Sequence, residues 1–273
     1  MTRRWTAMSG THLGSVHVRD GLPLQDSHGV RTTEAATVVA VADGHGHRLH
    51  FRSDVGSALA VAIIEDLLVE ALPELTDVRR AEAALRGVGA DLVDRWTEAV
   101  QAHVAEHPFT EDEAGVVTGS DRVSLTRPYG STVLAMVATD DLLGVLQIGD
   151  GDAVVVSPAG RARRALPEDP ALDGVRTTSL CQPDPAAALR VAAYDITADD
   201  VALGYLCTDG FGGSRVDREG WWRQTGEELV AFARAHGFAW MRERLPGWLE
   251  EPAAVGGDDT TLAVVALTSL EER

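Results

Sequence analysis

The apolar positions of the chain follow two periods. Runs rich in β-branched and apolar residues occupy 32–43 (TTEAATVVAVAD), 131–139 (STVLAMVAT), 142–150 (LLGVLQIGD), 152–158 (DAVVVSP), 201–209 (VALGYLCTD) and 260–268 (TTLAVVALT), and each predicts a strand. Only DD separates the second from the third, and only GDGD breaks the third from the fourth, so 131–158 reads as an antiparallel meander. From Ser53, a suitable N-cap, to Leu72 the period lengthens to 3.6, with Val55, Leu59, Ile63, Leu67 and Ala71 on one stripe. A second helix is predicted over 78–106, weakened by Gly87 and Gly89, and a third over 225–251, split near Gly237 and Pro246. Clustered antiparallel strands with long helices grouped between them imply an α+β layered sandwich rather than an alternating βαβ fold. Two polar, Pro- and Gly-bearing loops, 107–128 and 158–190, are long enough to be either functional or disordered.

Composition narrows the function. At 273 residues the chain can form one large core, and residues 1–273 are expected to be a single domain. With 42 Asp and Glu against 24 Lys and Arg, the net charge of −18 repels nucleic acid and anionic lipid. The N-terminus lacks the apolar core of a secretory signal, and no segment approaches the ~18 apolar residues of a membrane helix, so a soluble, cytoplasmic monomer is expected. Cys181 and Cys207 form no CxxC pair and read as reduced structural thiols.

Aspartates punctuate the strands. Asp43, Asp150 and Asp209 each end an apolar run and precede a glycine, and Asp258 opens the last run. A single Asp-Gly is ordinary turn chemistry, but four carboxylates gathered at one end of a sheet would repel one another unless a cation sat among them. Hard oxygen ligands suit Mg²⁺ or Mn²⁺. The competing signal is His45, His47 and His50, an H-x-H-x-x-H series suggestive of zinc. Zinc would need further ligands, and after position 107 the only histidine is His236, inside a helical pattern, so His47 and His50 read as polar residues near a helix start.

The ordered set GLPLQDS (21–27), ADGHG (42–46), GST (130–132), IGDGD (148–152), CTDGF (207–211) and GGDDTTLAVV (256–265) resembles the PP2C-type, metal-dependent protein serine/threonine phosphatases of bacteria, over about residues 10–268. The resemblance implies a four-layer αββα sandwich with two central, mostly antiparallel sheets, and two Mn²⁺ or Mg²⁺ ions, with a third as an option. It implies that Asp43 bridges both metals, that Gly44 offers its carbonyl, and that Asp209 and Asp258 are further ligands. Asp150 would help hold the third ion, Asp26 would order metal-bound water with Gln25 beside it, and His45 would be the general acid. The implied reaction is in-line attack of a metal-bridging hydroxide on a phosphoserine or phosphothreonine of a protein, one that is the target of a Ser/Thr kinase or the kinase itself. Loop 158–190 corresponds to the family's variable flap.

The chain also departs from the pattern. Gln25 stands where an acidic residue is common, and Asp259 where asparagine is usual. The phosphate-gripping arginine has no counterpart in GLPL, leaving Arg19 and Arg48 as candidates. These departures motivate a second reading, a catalytically weak or inactive regulatory domain that binds metal or a phosphoprotein. A third reading is a phosphatase acting on small phosphomonoesters.

Overall fold

The computed structural model describes residues 3–167, 177–215, 217 and 220–271. In chain order the elements are β1 (Trp5–His12), α1 (Ser15–Asp20), β2 (Ser27–Thr32), β3 (Thr37–Ala42), α2 (Ser53–Glu70), α3 (Val78–Glu106), α4 (Glu111–Ala114), α5 (Arg122–Thr126), β4 (Val133–Ala138), β5 (Leu142–Ile148), β6 (Asp152–Val156), β7 (Ala162–Arg164), β8 (Arg190–Asp195), β9 (Leu203–Cys207), α6 (Asp209–Gly213), α7 (Trp221–Gly256) and β10 (Thr260–Leu267). They form two five-stranded sheets, ordered β1-β10-β9-β6-β7 and β2-β3-β4-β5-β8, in which every pairing is antiparallel.

Side-chain alternation builds the layers, because successive strand residues face opposite ways. In β3, Val39 and Val41 join Leu134 and Met136 of β4 and Ala263 and Val265 of β10 in the core between the sheets. Val38, Ala40 and Ala42 face the other way, onto Ile64 and Leu68 of α2 and Leu85, Leu92 and Trp96 of α3. On the far side, Leu262 and Val264 of β10 pack with Leu229, Met241 and Leu249 of α7. The result is an α+β sandwich of four layers: α2 and α3, sheet, sheet, α7. Among the described residues no helix is long and apolar enough to cross a membrane.

Several sequence expectations are corrected. The run 32–43 is not one strand: β2 ends at Thr32, and β3 begins at Thr37 after a turn in which the Thr33 N–H bonds the Ala36 carbonyl at 2.8 Å. The meander over 131–158 holds only for β4 and β5, since the chain crosses between the sheets at 149–151 and β6 pairs with β9 and β7. Ser53 is not the N-cap of α2; that place falls to Arg52, and the Ser53 hydroxyl instead accepts from Gln25 Nε2 at 2.8 Å. The fully buried face of α2 is Ala60, Ile64 and Leu68, while Val55, Leu59 and Ile63 are half-buried, because α2 packs on the sheet with one face and on α3 with the next. In α7 the break lies at Gly237 alone (φ 80°, ψ 166°); Pro246 sits within continuous helical backbone. Loop 107–128 contains α4 and α5. Of loop 158–190, positions 168–176 lie outside the described residues.

Candidate functional site

Strand register brings the aspartates to one end of the sandwich. Ser27 pairs with Ala42, which puts Asp26 beside Asp43, and Cys207 pairs with both Asp152 and Leu262, which brings the starts of β6 and β10 to Asp209. The Asp43 backbone is held on both sides, its N–H donating to Thr132 Oγ1 (3.0 Å) and its carbonyl accepting from the Thr132 N–H (2.9 Å). The Gly44 N–H donates to the Gln25 carbonyl at 3.1 Å, tying the DGHG turn to the QDS turn. Asp209 and Asp258 reach the surface, so the cluster opens to solvent, although surrounding protein crowds their carboxyls.

Crowding sets the electrostatics. Burial, then the charges of Asp26, Asp209 and Asp258, push the Asp43 carboxyl well above its ordinary pKa. Burial, Asp150 and Asp258 raise Asp209 to about 6, even with a hydrogen bond from Asp43 that favours its charged form. Asp43 is therefore the proton-holding partner of the pair. Asp258 is also raised, mainly by burial, with the nearby His17 acting in the opposite sense. Asp150 accepts from Thr177 Oγ1 at 2.7 Å.

Asp26 and Gln25 form the floor. Asp26 Oδ2 accepts from Thr208 Oγ1 (2.7 Å) and Thr261 Oγ1 (2.6 Å), and desolvation raises its pKa strongly despite both bonds. Gln25 is buried, and its Oε1 has no hydrogen-bond partner while facing the region of Gly46. Asp259, whose neighbour Asp258 was the expected ligand, turns inward instead. Its Oδ1 accepts from the Gly14 N–H (2.8 Å), and its Oδ2 accepts from the Gln25 N–H (2.7 Å) and the Asp26 N–H (3.4 Å). His17, 6% exposed, lies 3.0 Å from Asp259 Oδ1 and 3.6 Å from Asp258 Oδ1. Thr132, Thr177, Thr208 and Thr261 were not singled out from the sequence as site residues, whereas Asp259 was noted there only as a departure from the family pattern. For Thr208 and Thr261 the available signal was a hydroxyl residue close to an aspartate (CTD, DDTT).

His45 sits beside the cluster with Nε2 2.7 Å from Ser179 Oγ and its ring 4.9 Å from that of His50. Burial, and then His50, lower its pKa to about 4, below the range in which a general acid is protonated at neutral pH. Arg19 pairs with its neighbour Asp20 (2.7 Å) and is 70% exposed. Arg48 is exposed in the β3–α2 loop, as is His47. Neither arginine is drawn to the aspartates by an ion pair.

The residues fit a hard divalent cation in donor chemistry. Every candidate donor is an oxygen, the carboxylates hold one another's protons on through burial and mutual repulsion, and Gln25 Oε1 is an orphaned buried acceptor suited to a metal-bound water. Among the described residues, however, no three His, Cys, Asp or Glu side chains converge into a ready-made cage.

Residues 13–250 match the family model described as "Protein phosphatase 2C". Solved structures that share the fold include PppA, described as a key regulatory component of T6SS in Pseudomonas aeruginosa (18% identity, TM-score 0.61, 98% of this chain and 100% of that one). A second is the catalytic domain of the serine/threonine protein phosphatase PstP in complex with two manganese ions (17%, 0.56, 97% and 98%). A third is serine/threonine phosphatase Stp1 from Staphylococcus aureus (13%, 0.63, 96% and 95%). No curated protein sequence matches the chain. Fold similarity at these identities speaks for architecture alone, but the family match spans most of the length and runs through the aspartate-ended strands: this chain belongs to the protein phosphatase 2C family.

Proposed function

We propose that the chain is a Mn²⁺- or Mg²⁺-dependent phosphatase of phosphoserine and phosphothreonine on proteins, acting in the cytoplasm on targets of a Ser/Thr kinase. The observation that carries the reading is the accessible cluster of Asp43, Asp209 and Asp258 at the end of the sandwich, each carboxyl held above its ordinary pKa by burial and its neighbours. Asp43, the Gly44 carbonyl, Asp209 and Asp258 would hold two ions, with Asp150 as a ligand for a third. Bound there, such ions neutralise phosphoryl charge and activate water. The chain's own residues do the rest. Thr208 and Thr261 fix Asp26, Asp26 and Gln25 order water beside the ions, and His45 delivers a proton to the departing serine or threonine oxygen. That role asks the substrate phosphate to raise an imidazole that is otherwise neutral.

The substrate class is tested by comparing kcat/KM for phosphothreonine peptides with that for free phosphoamino acids and sugar phosphates in the presence of Mn²⁺. Peptides should lead by about tenfold or more, on the general expectation that remote contacts contribute to transition-state binding. Equal or better rates on the small esters would remove the protein-substrate reading. A regulatory domain without turnover is the second reading, favoured by the outward-facing Arg19–Asp20 pair, which leaves the expected phosphate grip unfilled by either candidate. Phosphopeptide binding without Mn²⁺-dependent release of phosphate would select it.

A further inference from the structure

The returning arm of loop 158–190 packs against the DGHG turn. The Leu180 N–H donates to the Ser131 carbonyl at 2.9 Å, and Arg122 donates to the carbonyls of Leu180 and Gln182, each at 2.8 Å, so the backbone around Ser179 is anchored from two sides. Ser179 is 6% exposed. Its Oγ lies 2.7 Å from His45 Nε2, 3.2 Å from the Ser131 carbonyl, 3.3 Å from the Cys181 N–H and 3.2 Å from Cys181 Sγ.

These neighbours assign the protons. A hydroxyl has one proton to give and two lone pairs to fill. The Ser131 carbonyl can only accept and the Cys181 N–H can only donate. If Oγ–H goes to the carbonyl, the lone pairs take the Cys181 N–H and an Nε2–H from His45, and every capacity is used. If Oγ–H instead goes to Nε2, the hydroxyl gives up the Ser131 carbonyl and its second lone pair is left to the Cys181 thiol, a weak donor, which is the weaker arrangement. The Cδ2 edge of the ring is closed as well, because a Cβ on Gly130 would stand 2.8 Å from His45 Cδ2. Nε2 and Cδ2 thus face protein, and Nδ1 is the nitrogen left for a substrate.

We propose that Ser179 is a positioning residue that fixes the ring orientation and the Nε2–H tautomer of His45, so that Nδ1 is the atom that hands a proton to the leaving oxygen. The inference rests on the proposed role of His45 as proton donor. As the P–O bond breaks, its electron pair stays on the alkoxide, the Nδ1–H proton passes to that oxygen, and His45 is left neutral with Nε2–H still on Ser179. The proton is restored from the attacking water through solvent.

The test uses leaving groups that differ in their need for that proton. With Mn²⁺ present, Ser179→Ala should lose kcat about tenfold more on a phosphothreonine peptide than on p-nitrophenyl phosphate, whose phenolate leaves unprotonated, and KM should not move. Ser179→Thr should restore most of the loss, and in a His45→Gln background Ser179→Ala should add nothing. Equal losses on both substrates, or full additivity with His45→Gln, would overturn the proposal. Long-range ¹H–¹⁵N spectra of the intact chain, with His45 assigned through His45→Gln, give a readout independent of turnover. Wild type should show the Nε2–H tautomer and Ser179→Ala a mixture; an Nδ1–H tautomer, or no change on substitution, refutes the placement. If wild type hydrolyses no phosphomonoester, the phosphatase reading fails and the spectra alone judge the role of Ser179.

Discussion

Asp259 explains itself once its partners are known. Asparagine offers one acceptor oxygen, whereas aspartate offers two, and here both are used, on Gly14 through Oδ1 and on Gln25 and Asp26 through Oδ2. Asp259→Asn should therefore cost roughly 1–2 kcal/mol and Asp259→Ala roughly 3–5, read from urea midpoints, since buried N–H groups lose their acceptors. Similar costs for the two variants would mean that only one oxygen matters. At Asp209 the direction reverses. Asp209→Asn removes a charge from a crowded cluster, so it should raise the melting temperature in EDTA while abolishing stabilisation by Mn²⁺. The expected metal carboxylates were legible in the sequence because each ends or opens an apolar strand. Ser179 and Thr177 were not, because they sit in an irregular loop whose path no periodicity describes. Arg19 was singled out for its charge alone, and an adjacent aspartate claims it.

Among the elements, what the sequence hid has one physical cause. All six central strands were read from their apolar runs, and the four overlooked strands, β1, β2, β7 and β8, are the four sheet edges. Edge strands are half solvated, so their residues need not be apolar, as the intermediate burial along Trp5–His12 and Arg190–Asp195 shows. The crossing between sheets after β5 was invisible for another reason. GDGD suits a hairpin and a sheet switch equally, and only tertiary pairing decides. The helix α2 also has a demanding contact near its start: a Cβ on Gly56 would stand 1.9 Å from the Tyr129 carbonyl oxygen, and the Gly56 carbonyl accepts from Trp96 Nε1 at 2.9 Å. Gly56→Ala should destabilise by about 2 kcal/mol or more through forced displacement. It should also lower activity, because the 127–130 turn it displaces carries the Gly130 carbonyl that holds the His45 N–H. Retained stability with full activity would show that the turn yields freely.

For the whole molecule, the aspartate cluster ties stability to pH and, on the proposed function, to divalent metal. Asp43 and Asp209 titrate above their unfolded range, so between about pH 4 and 6 these two groups bind more protons in the metal-free fold than in the unfolded chain, and their contribution to stability falls as pH rises through that window, while buried His45 acts in the opposite sense. In EDTA the melting temperature of Asp209→Asn should rise relative to wild type between pH 5 and 7.5, since the variant lacks the titrating carboxyl and keeps His45. Saturating Mn²⁺ should reverse the slope, because the ions bind the deprotonated carboxylates of the folded state. A difference between the two proteins that does not change with pH would mean that the carboxylates are better solvated than their packing implies. The high negative charge of the chain, −18, adds self-repulsion at neutral pH in the same direction, so the difference between wild type and Asp209→Asn is the informative quantity.

The central claim is that the aspartates at the sheet end form a divalent-metal phosphatase centre. Its most direct test is the release of p-nitrophenolate from p-nitrophenyl phosphate by the purified chain at graded Mn²⁺, beside Asp209→Ala. The account predicts hydrolysis that requires Mn²⁺, stops in EDTA and falls roughly a hundredfold or more in Asp209→Ala. Hydrolysis that ignores metal and survives the substitution, or none at any Mn²⁺ concentration in a folded protein, would contradict it.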